Sequence, residues 1–212
     1  MPARLHDRAT VVARLAEVFR EHGFEGASLK HIEAATGLGK GSLYHAFPGG
    51  KEDMAAAVLS DIDGWFETHV FGPLADPATP PHEALVAMLE ACQVYFHGGG
   101  RVCLVGVFAL GDTRDRFTMQ VNGYFRRWGK AIAEALHRTG FSAEAATDLA
   151  EEVLARIQGG LVIARAFNET AFFGREIERL RDRLCPRPAE KGMTQDAGLP
   201  PRPARGDAPI PL

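Results

Sequence analysis

The sequence predicts an all-α protein, on three observations. Apolar residues recur at helical spacing almost throughout the chain. The breaks in that pattern are made of glycine and proline, as in HGF, TGLG, PGG, GPLADPATPP and HGGGR. The 212 residues, 46% apolar and 24% charged, have ordinary globular composition and suffice for a real core.

The elements follow in order. Val11, Val12, Leu15 and Phe19 line a first helix that stops at His22-Gly23. Ser28 offers an N-cap hydroxyl to SLKHIEAAT, whose inward residues are Leu29, Ile32 and Ala35, and Gly37 ends that helix in a left-handed cap. Leu38 plugs the corner before a short helix in GKGSLYHAF. A longer helix over 51–70 buries Met54, Val58, Ile62 and Trp65 or Phe66. After the proline-rich break at 72–81, Leu85, Met88, Leu89, Cys92 and Phe96 form the next stripe. CLVGVFALG reads equally as strand or helix by periodicity. Long helices over 113–139 and 142–169 meet at Thr139-Gly140, and a last one covers 171–184. From Pro186 the chain carries seven prolines without an apolar period, which predicts disorder over 186–212. The expected units are 1–50, 51–185 and this tail.

Several function classes fall away. TGLGKGSLYHAFPGGK has the glycines of a phosphate loop, but Ala34 stands at the leading glycine of a P-loop and Ser42 at the third glycine of a dinucleotide fingerprint. Neither motif has a strand before it. HGGG at 97–100 matches an esterase oxyanion segment, yet the chain has no G-x-S-x-G elbow, so no catalytic residue is assigned. The three cysteines make no metal spacing or disulfide framework, and the eight histidines make no i, i+4 pair. Neither metal nor cofactor is expected. No apolar run nears the roughly 20 residues of a membrane span, and the start lacks a secretory core, so a cytoplasmic location is the default.

The same stretch fits a helix-turn-helix, whose second helix enters the DNA major groove. Gly41 lets the backbone come close, Ser42 is short and polar, and Lys40 can reach a base edge or a phosphate. Tyr44 and His45 add hydrogen-bonding groups, while Leu43 and Phe47 point into the core. Lys51 opens the next helix, where its charge and the terminal amides are expected to hold a phosphate. The net charge is −3, but residues 1–51 carry seven Lys/Arg against five Asp/Glu, and local charge is what a phosphate meets.

GFEGASLKHIEAATGLGKGSLYHAF followed by GGKEDM resembles the N-terminal domain of tetracycline-repressor (TetR) type regulators over about residues 8–55. The FPGGK junction, VCLVGVFALGDT and RIQGGLVIARAF are similar to the LmrA/YxaF-like branch. The resemblance implies double-stranded DNA, as a palindromic operator, for a partner. It implies contacts by Lys30, Lys40, Ser42, Tyr44, His45 and Lys51, with Ser28 grouped among them. Gly39 stands where the family often has a serine or threonine cap, and Ala46 where many members have histidine.

For the second half the resemblance implies a homodimer and a small-molecule effector. Leu154, Ile157, Leu161, Ala164 and Phe167 form one apolar stripe, and Ile177, Leu180 and Leu184 another. They suit a symmetric four-helix interface, or equally the subunit's own core. Phe96, Phe108, Phe117, Tyr124 and Trp128 supply lining for an apolar or aromatic ligand, although each alone also reads as core. Cys103 follows GGGR near a helix start, where a cation and the helix terminus favour thiolate, so thiol modification is a second possible trigger. Cys103 also reads as a small packing residue beneath the pocket. The expectation is a ligand-responsive repressor, with a dimeric helical adaptor that does not bind DNA as the alternative.

Overall fold

A computed structural model describes residues 7–111 and 115–185, and among them every regular element is helical. The expected tail at 186–212 lies outside the described residues. Helices α1 (Arg8–Gly26), α2 (Leu29–Thr36) and α3 (Lys40–Ala46) form the first unit. α1 breaks where the sequence puts its end: Gly23 has φ 67°, a left-handed-side conformation that glycine adopts without Cβ strain. The half-turn beyond it swings Phe24 into the core.

Ser28 caps α2 reciprocally with His31: the His31 N–H donates to Ser28 Oγ at 3.3 Å, and the Ser28 N–H to His31 Nδ1 at 3.4 Å. Gly37, at φ 70°, ends the helix. Thr36 is fully buried but satisfied, donating to Ile32 O and accepting from Leu38 N–H. Leu43 and Phe47 join Leu15, Phe19, Ile32 and Met54 beneath α3.

α4 (Lys51–Phe66) packs on α1 and leads into the second half. The helix expected over 51–70 widens into a π-turn at Glu67–Phe71. Pro73 has no N–H to give His69 O, and its ring crowds that carbonyl. α5 (Gly72–Ala75), α6 (Pro81–Tyr95), α7 (Leu104–Leu110), α8 (Thr118–Arg138), α9 (Ala143–Phe167) and α10 (Ala171–Leu184) complete the described fold. CLVGVFALG is therefore helical. The helix expected from 113 begins at Thr118, and residues 112–114 lie outside the described set.

Two joints fix the first unit to the second half. Phe24 lies 6.1 Å from Phe108 and 5.5 Å from Phe117, ring centre to ring centre. Arg20 of α1 donates to Tyr95 Oη at 3.3 Å, and Arg101 reaches back to donate to Glu17. Burial works against the Glu17 carboxylate, but the Arg101 hydrogen bond and the charges of Arg20 and Arg101 outweigh it and hold its pKa below the usual range.

Candidate nucleic-acid interface and effector half

α3 is seven residues long and turns Leu43 wholly inward. Lys40, Gly41, Ser42, Tyr44 and His45 are left exposed together, with Lys30 exposed on α2. Cβ atoms built on Gly39 or Gly41 would meet nothing within 4 Å, so the bare backbone there faces open space. Tyr44 is 46% exposed, and its ring edge lies against Gly50, whose φ of 68° makes the turn into α4. Ser28 belongs to this surface chiefly as the cap that sets α2.

Two arginines that sequence reasoning missed seat the helices. Arg14 donates to Thr36 O at 3.1 Å, and Arg8 to Ala46 O at 3.2 Å, so each places a guanidinium at a helix C-terminus. Nothing in their spacing signals those roles, which join residues 22 and 38 positions apart.

Lys51 departs from expectation. Its ammonium donates to Glu25 O at 3.3 Å and lies 4.6 Å from the Phe24 ring centre. The terminus it opens carries Glu52 and Asp53, and Asp53 already accepts from the Gly49 N–H at 2.6 Å. That carboxylate adds negative charge beside the helix terminus, while the first amides of α4 have no side-chain cap. Lys51 ties α4 to α1 through neutral groups and so keeps its positive charge.

The effector half also corrects the sequence reading. Phe96, Phe108, Phe117, Tyr124 and Trp128 are all buried and packed on one another or on neighbours instead of walling an open chamber. Phe66 touches Tyr124 at 4.9 Å and Trp128 at 5.2 Å between ring centres. Phe108 and Phe117 face Phe24 in the joint already described. A groove of about 1020 Å³ runs instead between α8 and α9, lined by Phe125, Ala133, Ala146, Ala150 and Leu154 among others. Tyr124 borders a cavity of about 350 Å³, shared with Val105 and Met119.

Within this packed core sits a polar spot. Tyr124 Oη and Gln158 Nε2 are buried and make no well-aligned hydrogen bond among the described residues, with the Cys103 sulfur as a weak partner to both. Cys103 lies beside them, accepting the Gly106 N–H at 3.4 Å. Burial pushes the Cys103 thiol and the Tyr124 phenol up in pKa. Arg101, expected to favour a Cys103 thiolate, is turned away toward Glu17 and Tyr95 O. Cys103 is thus a buried, protonated N-cap of α7, and Cys92 is buried too.

The expected interface stripe lies largely inside the subunit. Ile157, Leu161 and Ala164, with Ile177, Leu180 and Leu184, are buried where α9 meets α8 and α10. Gly160 serves that core, since a Cβ there would lie 3.3 Å from Phe173. Leu154 lines the groove, and Phe167 is 65% exposed. One residue further round α9, Ala155, Gly159, Val162 and Ala166 make an outward stripe flanked by Ile163 and Phe167. Val162 is 59% exposed, and Gly159 faces open space.

Among the described residues no group of three or more His, Cys, Asp or Glu could hold a metal ion, and no helix is long and apolar enough to cross a membrane.

Two parts of the chain match known families. Residues 12–58 match the family described as bacterial regulatory proteins, tetR family, and residues 81–176 the C-terminal domain of LmrA/YxaF-like transcriptional regulators. The HTH-type transcriptional regulator LmrA of Bacillus subtilis is 26% identical over 161 residues, covering 74% of this chain and 85% of the relative. The HTH-type transcriptional repressor DhaR of a Mycobacterium species is 28% identical over 155 residues, covering 72% and 77%. A TetR regulator from Legionella pneumophila shares the fold with TM-score 0.71 at 19% identity, over 85% of this chain and 99% of that one. Cysteine-substituted CifR, solved with a 26-base-pair operator DNA, gives TM-score 0.69 at 24% identity, over 84% and 97%.

Proposed function

Because the chain belongs to the TetR family of DNA-binding transcriptional regulators, in its LmrA/YxaF-like branch, we propose that it is a homodimeric repressor. It leaves a palindromic operator when a small apolar or aromatic effector enters its second half. The outward face of α3 carries this reading. Lys40, Ser42, Tyr44 and His45 share an exposed surface, and the glycine backbone beside them is open to close approach. The relatives named as repressors and the operator complex of CifR agree with it. Its place of action is the cytoplasm, with the chromosome.

Two subunits pair through the outward α9 stripe, not through the buried one. An exposed apolar face on a long helix is stabilised by a second copy. The effector site centres on Tyr124, Gln158 and Cys103, and the buried Tyr124 Oη and Gln158 Nε2 suit a mostly apolar ligand with one or two hydrogen-bonding groups. Cys103 caps α7, the helix that carries Phe108, so ligand entry there shifts α7 and, through the Phe108–Phe24 contact, α1 and the reading helix. Burial of Cys103 favours this non-covalent trigger over thiol modification.

The test is fluorescence anisotropy with labelled duplexes tiling the DNA upstream of the protein's own gene. Tight, salt-sensitive binding of a dimer to one tile is the expected result. Failure to bind any tile at low salt would leave the dimeric adaptor as the better reading.

A further inference from the structure

A cavity of about 280 Å³ lies between the DNA-reading unit and the second half, used neither by the DNA face nor by the effector site. α1 contributes Arg20, α4 contributes Trp65, α6 contributes Tyr95, and the segment before α7 contributes Arg101. Both guanidiniums donate to one oxygen, Glu17 Oε1. Arg20 also donates to Tyr95 Oη, and Arg101 to Tyr95 O at 3.4 Å. That leaves a donor over on each side: Arg20 Nε and Arg101 Nε are buried with no acceptor among the described residues. The Arg20 side chain is only 6% exposed, so its charge is far from bulk water.

Buried guanidinium N–H groups without acceptors are costly. Among the described residues, the two cations share one carboxylate oxygen and make no ion pair with the Asp61 carboxylate at the rim. Trp65 and Tyr95, 4.6 Å apart between ring centres, add flat apolar walls. Asp61 and His97, both exposed, are the other charged or titratable groups lining the cavity.

We propose that this cavity binds a small arylcarboxylate: its carboxylate accepts from Arg20 and Arg101, and its ring lies against Trp65. Fork-shaped guanidiniums match a planar carboxylate, and the volume suits one ring, not a multi-ring ligand. Because Arg20 lies on α1 and Arg101 on the segment entering α7, the bound anion ties the reading unit to the second half. It is thus a second, independent input to DNA affinity.

Titration of the full-length dimer with sodium benzoate, followed by tryptophan emission and calorimetry, tests the site without DNA. Benzoate should bind and change the emission of Trp65, and the spectral change should vanish in Trp65→Phe while Trp128 remains. Arg101→Gln should weaken benzoate at least tenfold, with Arg101→Lys between the two. Benzyl alcohol, which lacks the charge, should bind at least tenfold more weakly. Arg20→Gln is buried enough to risk unfolding, so the more accessible Arg101 carries the test, with circular dichroism as the fold control. Equal benzoate binding by wild type and Arg101→Gln, or none at millimolar concentration, overturns the site. Inorganic phosphate binding as well as benzoate overturns the aryl specificity.

Discussion

The outward faces of α3 and α9 differ in what they demand of their surroundings. α3 buries Leu43 and shows water lysine, serine, tyrosine and histidine, all of them well hydrated when DNA is absent. α9 shows water alanine, glycine, valine, isoleucine and phenylalanine over three turns. The first face can be vacated and refilled, as a regulator's contact with DNA must be. The second is an apolar surface of the kind that a lasting partner covers, as the proposed dimer would. A hydrated polar face and an exposed apolar face are thus placed on separate helices of one chain.

The largest effect should separate two adjacent α9 positions. Leu161→Glu places an unpaired charge in the subunit's own core and should cost several kcal/mol, enough to unfold the chain. Val162→Glu puts the same charge on the outward stripe. It should leave helix content intact, yield monomers in sedimentation velocity and weaken operator binding. Unfolding by both, or dimers from Val162→Glu, would show that the α9 stripe is not the interface.

That neighbouring pair also shows what was legible in the sequence. Helical periodicity says which residues share a face, but not what covers it. Leu154, Ile157, Leu161 and Ala164 repeat as well as Ala155, Gly159, Val162 and Ala166 do, and a rotation of one residue separates the core from the outward face. The reading unit escaped this ambiguity because its helices are short. On α3, Leu43 alone is buried, so assigning it fixes every other side chain outward. The aromatic residues misled for a related reason: ring-rich segments look alike whether they line a cavity or close a domain joint, as Phe108 and Phe117 do. The Glu17–Arg101 contact spans 84 positions and leaves no local trace.

The next contrast lies within the DNA face. Lys40→Ala should lower the salt slope of log K by about one unit and weaken binding severalfold, without loss of stability. Lys51→Ala should do less to the slope and more to the melting temperature, since its ammonium holds Glu25 O and Phe24. Tyr44→Phe should weaken all sequences alike. An equal slope change for Lys40 and Lys51 would restore Lys51 as a full phosphate anchor.

Gly41→Ala should split stability from affinity. The residue is helical with open space around it, so alanine should stabilise α3 by about 0.5–1 kcal/mol. If DNA approaches the Gly41 backbone, the added methyl should weaken operator binding at the same time. A rise in both quantities would place the DNA elsewhere along the helix.

The smallest expected effect concerns the polar clasp between α1 and the second half. Burial raises the Glu17 pKa, but the Arg101 hydrogen bond and the two guanidinium charges lower it further, for a net depression. A carboxyl with a depressed folded pKa contributes stability above its unfolded pKa, and loses it as pH falls through the folded value. The contribution is therefore constant from neutral pH down to about 4.5, the ordinary carboxyl value, and fades below it. Glu17 is 57% exposed, so solvent screens the pair and the difference is small. Melting curves of wild type and Glu17→Gln should differ slightly at neutral pH and converge in acid, as the wild-type carboxyl takes up its proton. Curves that stay parallel into acid would mean that Glu17 acts through packing or hydrogen bonding alone, and that its charge does not hold the two halves together.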